Sequence, residues 1–253
     1  MLQLGLLDYA TGLRLQQKLV DLRKQGHIGD VVLLLEHPPV ITLGRNAKQN
    51  NILASPELLA ERGVEVVEFD RGGDVTFNGP GQVVGYPIFD LRGLASHEAT
   101  RPSLGAIEYV RRLEEVLIRT CAGFGIPAGR LSGFTGVWTQ PEAKIAAIGV
   151  HISRGVTSHG FALNVNTDLD YFNLIIPCGI LSRPVTSMAK ELGKPLPPQE
   201  VAHAVSRNFG SVFASQILWL DSLEALLGKR TGVPVEVPAE FRQLHKEEKT
   251  FLA

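Results

Sequence analysis

Two stretches of the chain carry residue types suited to chemistry. The first, RGGDVTFNGPGQ, runs from Arg71 to Gln82 and combines four glycines with an arginine, an aspartate and an asparagine. Glycine has no Cβ and adopts positive φ freely, so such a loop lets backbone approach a ligand closely. No Gly-Lys-Ser/Thr follows it, so it is not a Walker A loop. A strand rather than a helix comes next, so it is not a dinucleotide fingerprint. A plain turn between strands would need fewer glycines, which favours a functional loop. The second stretch is IIPCGILSRPVTS around Cys178. A Pro-Cys-Gly turn would hold a thiol at a chain reversal and leave the following N–H groups free to face a bound oxygen, as a nucleophile with oxyanion donors requires. A buried structural cysteine fits the residue type equally well. Lys144, which opens KIAAIGVHIS, reads by itself as a strand-edge lysine in solvent, and nothing local places it beside Cys178.

Other chemistries lack their signatures. The seven histidines are scattered without H-E-x-x-H spacing and neither cysteine belongs to a C-x-x-C, so no metal site is expected. There is no G-x-S-x-G elbow and no cofactor-binding motif. A net charge of −1 argues against a nucleic-acid or anionic-membrane surface. The longest apolar runs, such as VVLLLE and NLIIPCGIL, fall far short of the roughly 20 residues that span a bilayer. With no charged-then-apolar leader at Met1–Gly12 and only two cysteines, a cytoplasmic protein is expected.

The elements that must position these residues alternate irregularly. LQLGLLDY reads as a strand and YATGLRLQQKLVDLRKQG as an amphipathic helix stopped at Gly26. DVVLLLEHPPVITLG reads as two strands broken at Pro38-Pro39, because proline cannot donate to a ladder. SPELLAERG is a short helix with Ser55 as its cap and Gly63 as its stop. VEVVEFD delivers the chain into the glycine loop and QVVGYPIFDL carries it out. Between Ser103 and Thr120 a helix is expected, with Ile107, Val110, Leu113, Leu117 and Cys121 on one buried stripe. KIAAIGVHIS and TSHGFALNVN read as a hairpin turning at Arg154-Gly155, and PPQEVAHAVSRNFGSVFA as a further helix. Apolar residues at 44% and charged residues at 20% suffice for a proper core. The expectation is α/β: one mixed sheet with flanking helices in a single domain over 1–253, its charged tail from about 235 peripheral.

The blocks RGGDVTFNGPGQVVGYPIFDL, AKIAAIGVHI, HGFALNVN and PCGI, in this order and at these separations, resemble the lipoyl(octanoyl) transferase family over most of the chain, from the N-terminal helix to about Ser187. The resemblance implies the biotin and lipoate protein ligase fold. It also implies transfer of an octanoyl group from acyl carrier protein to a lysine of lipoyl domains, in 2-oxoacid dehydrogenases and the glycine cleavage H protein. Cys178 matches the family's acyl-thioester cysteine, and Lys144 matches the lysine that favours its thiolate. The matching acyl pocket takes in Arg71, Gly72, Gly73, Asp74, Val75, Thr76, Phe77 and Asn78. It also takes in Ala147, Ile148 and Gly149, together with Gly160, Phe161 and Ala162. Val75, Phe77, Ile148 and Phe161 would supply its apolar lining.

One position departs. The family reads H-G-P-G-Q where this chain has Asn78-Gly79-Pro80-Gly81-Gln82, and an asparagine does not titrate, so Asn78 carries over as a pocket residue and not as an acid or base. Thioester-to-thioester exchange is near balanced and thioester-to-amide transfer runs downhill, so the resemblance implies no need for ATP. A ligase working through an adenylate, a non-catalytic carrier-binding domain and a cysteine hydrolase are the rival readings. Arg45, Lys48 or Arg71 are candidates for docking acidic partner domains.

Overall fold

The strand Val31–Glu36 is apolar up to Leu35 because it is covered on both faces. In the computed structural model, which describes residues 1–97, 102–140, 142–180, 183–220 and 222–227, the chain runs β1 (Leu2–Leu6), α1 (Tyr9–Lys24), β2 (Val31–Glu36), β3 (Val40–Leu43), α2 (Pro56–Glu61), β4 (Glu65–Glu68), β5 (Val75–Asn78) and β6 (Gln82–Ile88). It continues through α3 (Ala106–Gly123), β7 (Ala128–Leu131), β8 (Phe134–Thr139), β9 (Lys144–Ser153), β10 (Val156–Asn164), α4 (Met188–Leu192), α5 (Pro198–Val212) and α6 (Leu223–Leu227).

Seven strands form one sheet in the order β1-β2-β6-β10-β9-β8-β7, and three form a second in the order β4-β3-β5. Both are mixed: β1 lies parallel to β2 and β4 parallel to β3, and the other pairs are antiparallel. Side chains of β2, β6 and the end of β10 alternate across the large sheet, as a period of two demands. Val32, Leu34, Val83, Phe161 and Leu163 join α3 and α5 in one core. Val31, Leu33, Leu35, Val84, Tyr86 and Ala162 meet Leu15 and Leu19 of α1 in another. The small sheet has its own cluster around Ile41, Val75 and Phe77.

The expected mixed α/β class is therefore present, divided between two sheets. The strand break at Pro38-Pro39, the Ser55 cap, whose Oγ accepts from Leu58 N at 3.3 Å, and the β9–β10 hairpin are all as the sequence implies. Three strands are additions: β5 lies hidden inside the glycine loop, and β7 and β8 precede β9. Two stripe residues are corrected, because Ile107 is 77% exposed and Val110 only half-buried; the apolar buried face of α3 is Tyr109, Leu113, Val116, Leu117 and Cys121. Cys121 is a core residue, its thiol pushed up to about 12 by burial. Among the described residues no helix is long and apolar enough to cross a membrane. The tail from about 235 lies outside the described residues.

Candidate active site

The cavity that holds the candidate residues begins with missing side chains. On the α1 face of the large sheet, β9 and β10 pair Ala147 with Ala162 and Gly149 with Gly160. Two successive cross-strand pairs without bulk leave a trough between neighbours that carry full side chains. It is part of a cavity of about 480 Å³ with exposed Asn46, Gly73, Gly133 and Thr135 at its rim and buried Tyr9, Val84, Tyr86 and His159 at its floor. Both glycines are required by packing. A Cβ on Gly149 would come within 2.8 Å of the Gly72 carbonyl oxygen, and one on Gly160 within 2.1 Å of that of Gly85.

At the Ala147–Ala162 end sits the pair that sequence could not bring together. Lys144 Nζ donates to Cys178 Sγ at 3.1 Å. The backbone makes this meeting: Lys144 N donates to Pro184 O at 2.8 Å and Thr186 N to Lys144 O at 3.0 Å, so the segment after Cys178 runs as a short parallel bridge beside the start of β9. Lys144 is buried, with Nζ 4.9 Å from the Trp138 ring centroid. Its stem passes Gly136, where an added Cβ would lie 3.3 Å from Lys144 Cε and 2.6 Å from Ala146 O. Cys178 occupies the 3-10 turn Pro177–Gly179 with φ of 56°, a left-handed conformation that costs a non-glycine residue on the order of 1 kcal/mol.

The expectation of free N–H donors after Cys178 is corrected: Gly179 N donates to Ile176 O and Ile180 N to Pro177 O, so the turn itself consumes both. Gly179 has its own reason, since φ is +68° and a Cβ would stand 2.7 Å from Asp74 Oδ2.

The glycine loop closes over the trough. Thr76 and Asn78 on β5 face the cavity, whereas Val75 and Phe77 point the other way into the small sheet's cluster, where Phe77 stacks on Tyr171. Val75 therefore does not line the cavity, as period-two alternation requires, whereas Phe77 is absent from the main cavity but borders the small crevice that Lys144, Cys178, Ala147 and Ala162 share. Ile148 and Phe161 border it but pack into the main core, the Phe161 ring lying 6.1 Å from that of Phe209. Asp74 ties the loop to its surroundings through Val75 N at 2.7 Å and Asn51 Nδ2 at 2.7 Å. Arg71 is buried, so it is not a docking residue. Its guanidinium donates to Thr42 O, Thr42 Oγ1, Gly72 O and Asp74 O, a set of neutral oxygens that clamps the loop from inside. Arg45 does lie at the surface, paired with His151 and Asp70. Asn78→His is expected to leave activity at or above the parental rate if the position only shapes the pocket. A loss of an order of magnitude in kcat/KM, about 1.4 kcal/mol, would mean that the trough is built around the amide.

Sequence reasoning missed the floor. His37 Nδ1 lies 2.6 Å from Leu7 O, which only accepts, so Nδ1 carries the proton and the Tyr86 hydroxyl donates to Nε2 at 2.6 Å. Burial pushes His37 and His159 each down to about 4 and Tyr9 up to about 12. The floor is therefore polar and uncharged at neutral pH. For both histidines the folded form resists protonation more than the unfolded one. The stability they confer is complete above about pH 6.5 and is lost as pH falls toward 4. Calorimetry across this window is expected to find the melting temperature falling with pH. Unfolding at pH 5.5 would take up about two protons on these residues.

Solved structures share the fold. A crystal structure titled as lipoate-protein ligase A bound with ATP superposes with a TM-score of 0.66 at 15% identity, covering 91% of this chain and 94% of that one. A bipartite lipoate protein ligase from Thermoplasma acidophilum gives 0.65 at 14%, covering 92% and 93%. At such identity the likeness is one of fold. A family profile described as the lipoyl protein ligase A/B catalytic domain matches residues 8–210. An octanoyltransferase of Koribacter versatilis is 63% identical over 98% of this chain and 97% of its own length. One from Acidobacterium capsulatum is 59% identical over 90% and 95%. The chain belongs to the lipoyl protein ligase A/B catalytic family, and within it to the octanoyltransferases, which are acyltransferases.

Proposed function

We propose that the chain moves an octanoyl group from the thioester of acyl carrier protein to a lysine of lipoyl domains, by way of a thioester on Cys178 and without ATP. The observation that carries this reading is the 3.1 Å contact between Lys144 Nζ and Cys178 Sγ at one end of a trough of alanine and glycine. A nearby ammonium favours thiolate over thiol. The thiolate attacks the acyl carbonyl, a C–S bond forms to Cys178, and the carrier's sulfur leaves and takes up a proton. The acceptor amine then attacks the enzyme thioester, gives up a proton and releases the Cys178 thiolate. With the N–H groups of Gly179 and Ile180 committed to the turn, Lys144 and the Thr76 hydroxyl, which line the crevice beside Cys178, and the Asn78 amide elsewhere on the cavity wall are donors available to the acyl oxygen.

The trough suits the cargo. An alkyl chain has no polar handle, so its recognition rests on burial, worth about 0.8 kcal/mol per methylene. The octanoyltransferase relatives support the same cargo. Acceptors are the lipoyl domains of 2-oxoacid dehydrogenases and the glycine cleavage H protein, whose acidic surfaces exposed Arg45 and Lys48 at the rim would meet. The test is intact mass spectrometry after mixing with octanoyl carrier protein and no nucleotide. A gain of one octanoyl group that a lipoyl domain then discharges is expected; acylation of the domain only when ATP is added would defeat the reading.

A further inference from the structure

We propose that a closed ring of five aromatic side chains, Tyr9, His37, Phe69, Tyr86 and His159, is the stop at the far end of the acyl trough and sets the chain length that Cys178 accepts. This rests on the function proposed above. The rings form an unbroken cycle. Centroid separations are 5.0 Å for Tyr9–His37, 5.9 Å for His37–Tyr86, 6.5 Å for Tyr86–His159, 6.5 Å for His159–Phe69 and 5.0 Å for Phe69–Tyr9. Tyr9, Tyr86 and His159 face the cavity, while His37 and Phe69 stand behind them.

The position of the ring matches an eight-carbon cargo. The crevice shared by Lys144 and Cys178 includes Ala147 and Ala162. From that cross-strand pair to the Val150–His159 pair the sheet advances three residues, roughly 10 Å, which is about the span of an extended eight-carbon chain. Further methylenes would run into aromatic carbon.

The ring is also rigid, as a ruler must be. His37 is fixed at both nitrogens, and Gly12 leaves room for its imidazole, since a Cβ there would lie 3.1 Å from His37 Cε1. His159 is the strongest sign of purpose. Alternation along β10 sends Phe161 and Leu163 into the main core, and a regular strand would send residue 159 there as well. Instead His159 adopts φ of 55°, held by a 2.7 Å bond from its own N–H to Gln16 Oε1, and this turn of the backbone swings the imidazole to the cavity side. A buried non-glycine residue in this region is a strain that the surroundings must hold.

The test compares rates of Cys178 acylation, read by intact mass, for hexanoyl, octanoyl, decanoyl and dodecanoyl thioesters of carrier protein. The parent is expected to favour eight carbons over ten by about tenfold. His159→Gly removes the ring at a φ that glycine adopts freely, and Tyr9→Leu opens the opposite side of the cycle. In each, the ten-to-eight ratio is expected to rise about tenfold. Equal parental rates for eight and ten carbons would overturn the proposal, a result that needs no variant to fold. So would unchanged ratios in variants whose melting curves prove them folded. A parent that takes no acyl group of any length on Cys178 would instead defeat the proposed function itself.

Discussion

Cys178→Ala is expected to abolish octanoyl transfer, lowering the rate by a factor on the order of 10⁴ or more, because among the described residues the cavity holds no second thiol. No octanoyl mass should appear on the variant after incubation with octanoyl carrier protein. The residue's backbone supplies an independent readout. Cys178 holds φ of 56° in a turn whose hydrogen bonds do not involve the side chain, so alanine keeps the strain and glycine relieves it. Cys178→Gly should therefore be more stable than Cys178→Ala by about 1 kcal/mol while both are inactive. That pattern is the signature of strain kept for the sake of the thiol. Substantial octanoylation of a lipoyl domain by Cys178→Ala, with or without ATP, would show that the cysteine carries no acyl group.

Much of this site was legible in the chain because its parts are local. The glycine loop, the Pro-Cys-Gly turn and the β9–β10 hairpin each announce themselves within one continuous stretch, since turn chemistry and period-two alternation are short-range rules. What stayed hidden was of two kinds. One was contact between distant segments. Lys144 meets Cys178 through the bridge to Val185, and the aromatic cycle draws its five rings from five separate stretches, a juxtaposition that no spacing encodes. The other was a local rule overridden by a neighbour. The four residues of β5 alternate as a strand should, but glycines on either side obscured them. Arg71 read as a surface cation because its partners are backbone carbonyls supplied by the fold. The N–H groups of Gly179 and Ile180 read as free donors because the tightness of a 3-10 turn depends on the αL conformation of Cys178, which residue type does not dictate.

Lys144→Arg should separate the two halves of the reaction. Arginine keeps a permanent charge beside the sulfur, so formation of the acyl-enzyme is expected to fall only through geometry: the side chain is longer, and the stem runs past Gly136, where an added Cβ would already lie 3.3 Å from Lys144 Cε. The second half asks for something different. The incoming lysine must lose a proton, and once Cys178 is acylated Lys144 has lost its negative partner and lies buried beside an alkyl chain and Trp138. We propose that Lys144 then serves as the base that takes the proton of the acceptor amine. Arginine cannot do this, so transfer from pre-formed acyl-enzyme to a lipoyl domain is expected to slow by about 10²–10⁴, the usual worth of general-base catalysis. The rate lost in the variant should be partly recovered at high pH, where the acceptor lysine deprotonates without help, and the parent should gain far less over the same range. Single-turnover transfer at the parental rate near neutral pH would end the base assignment and leave Lys144 as the thiolate's counter-ion alone.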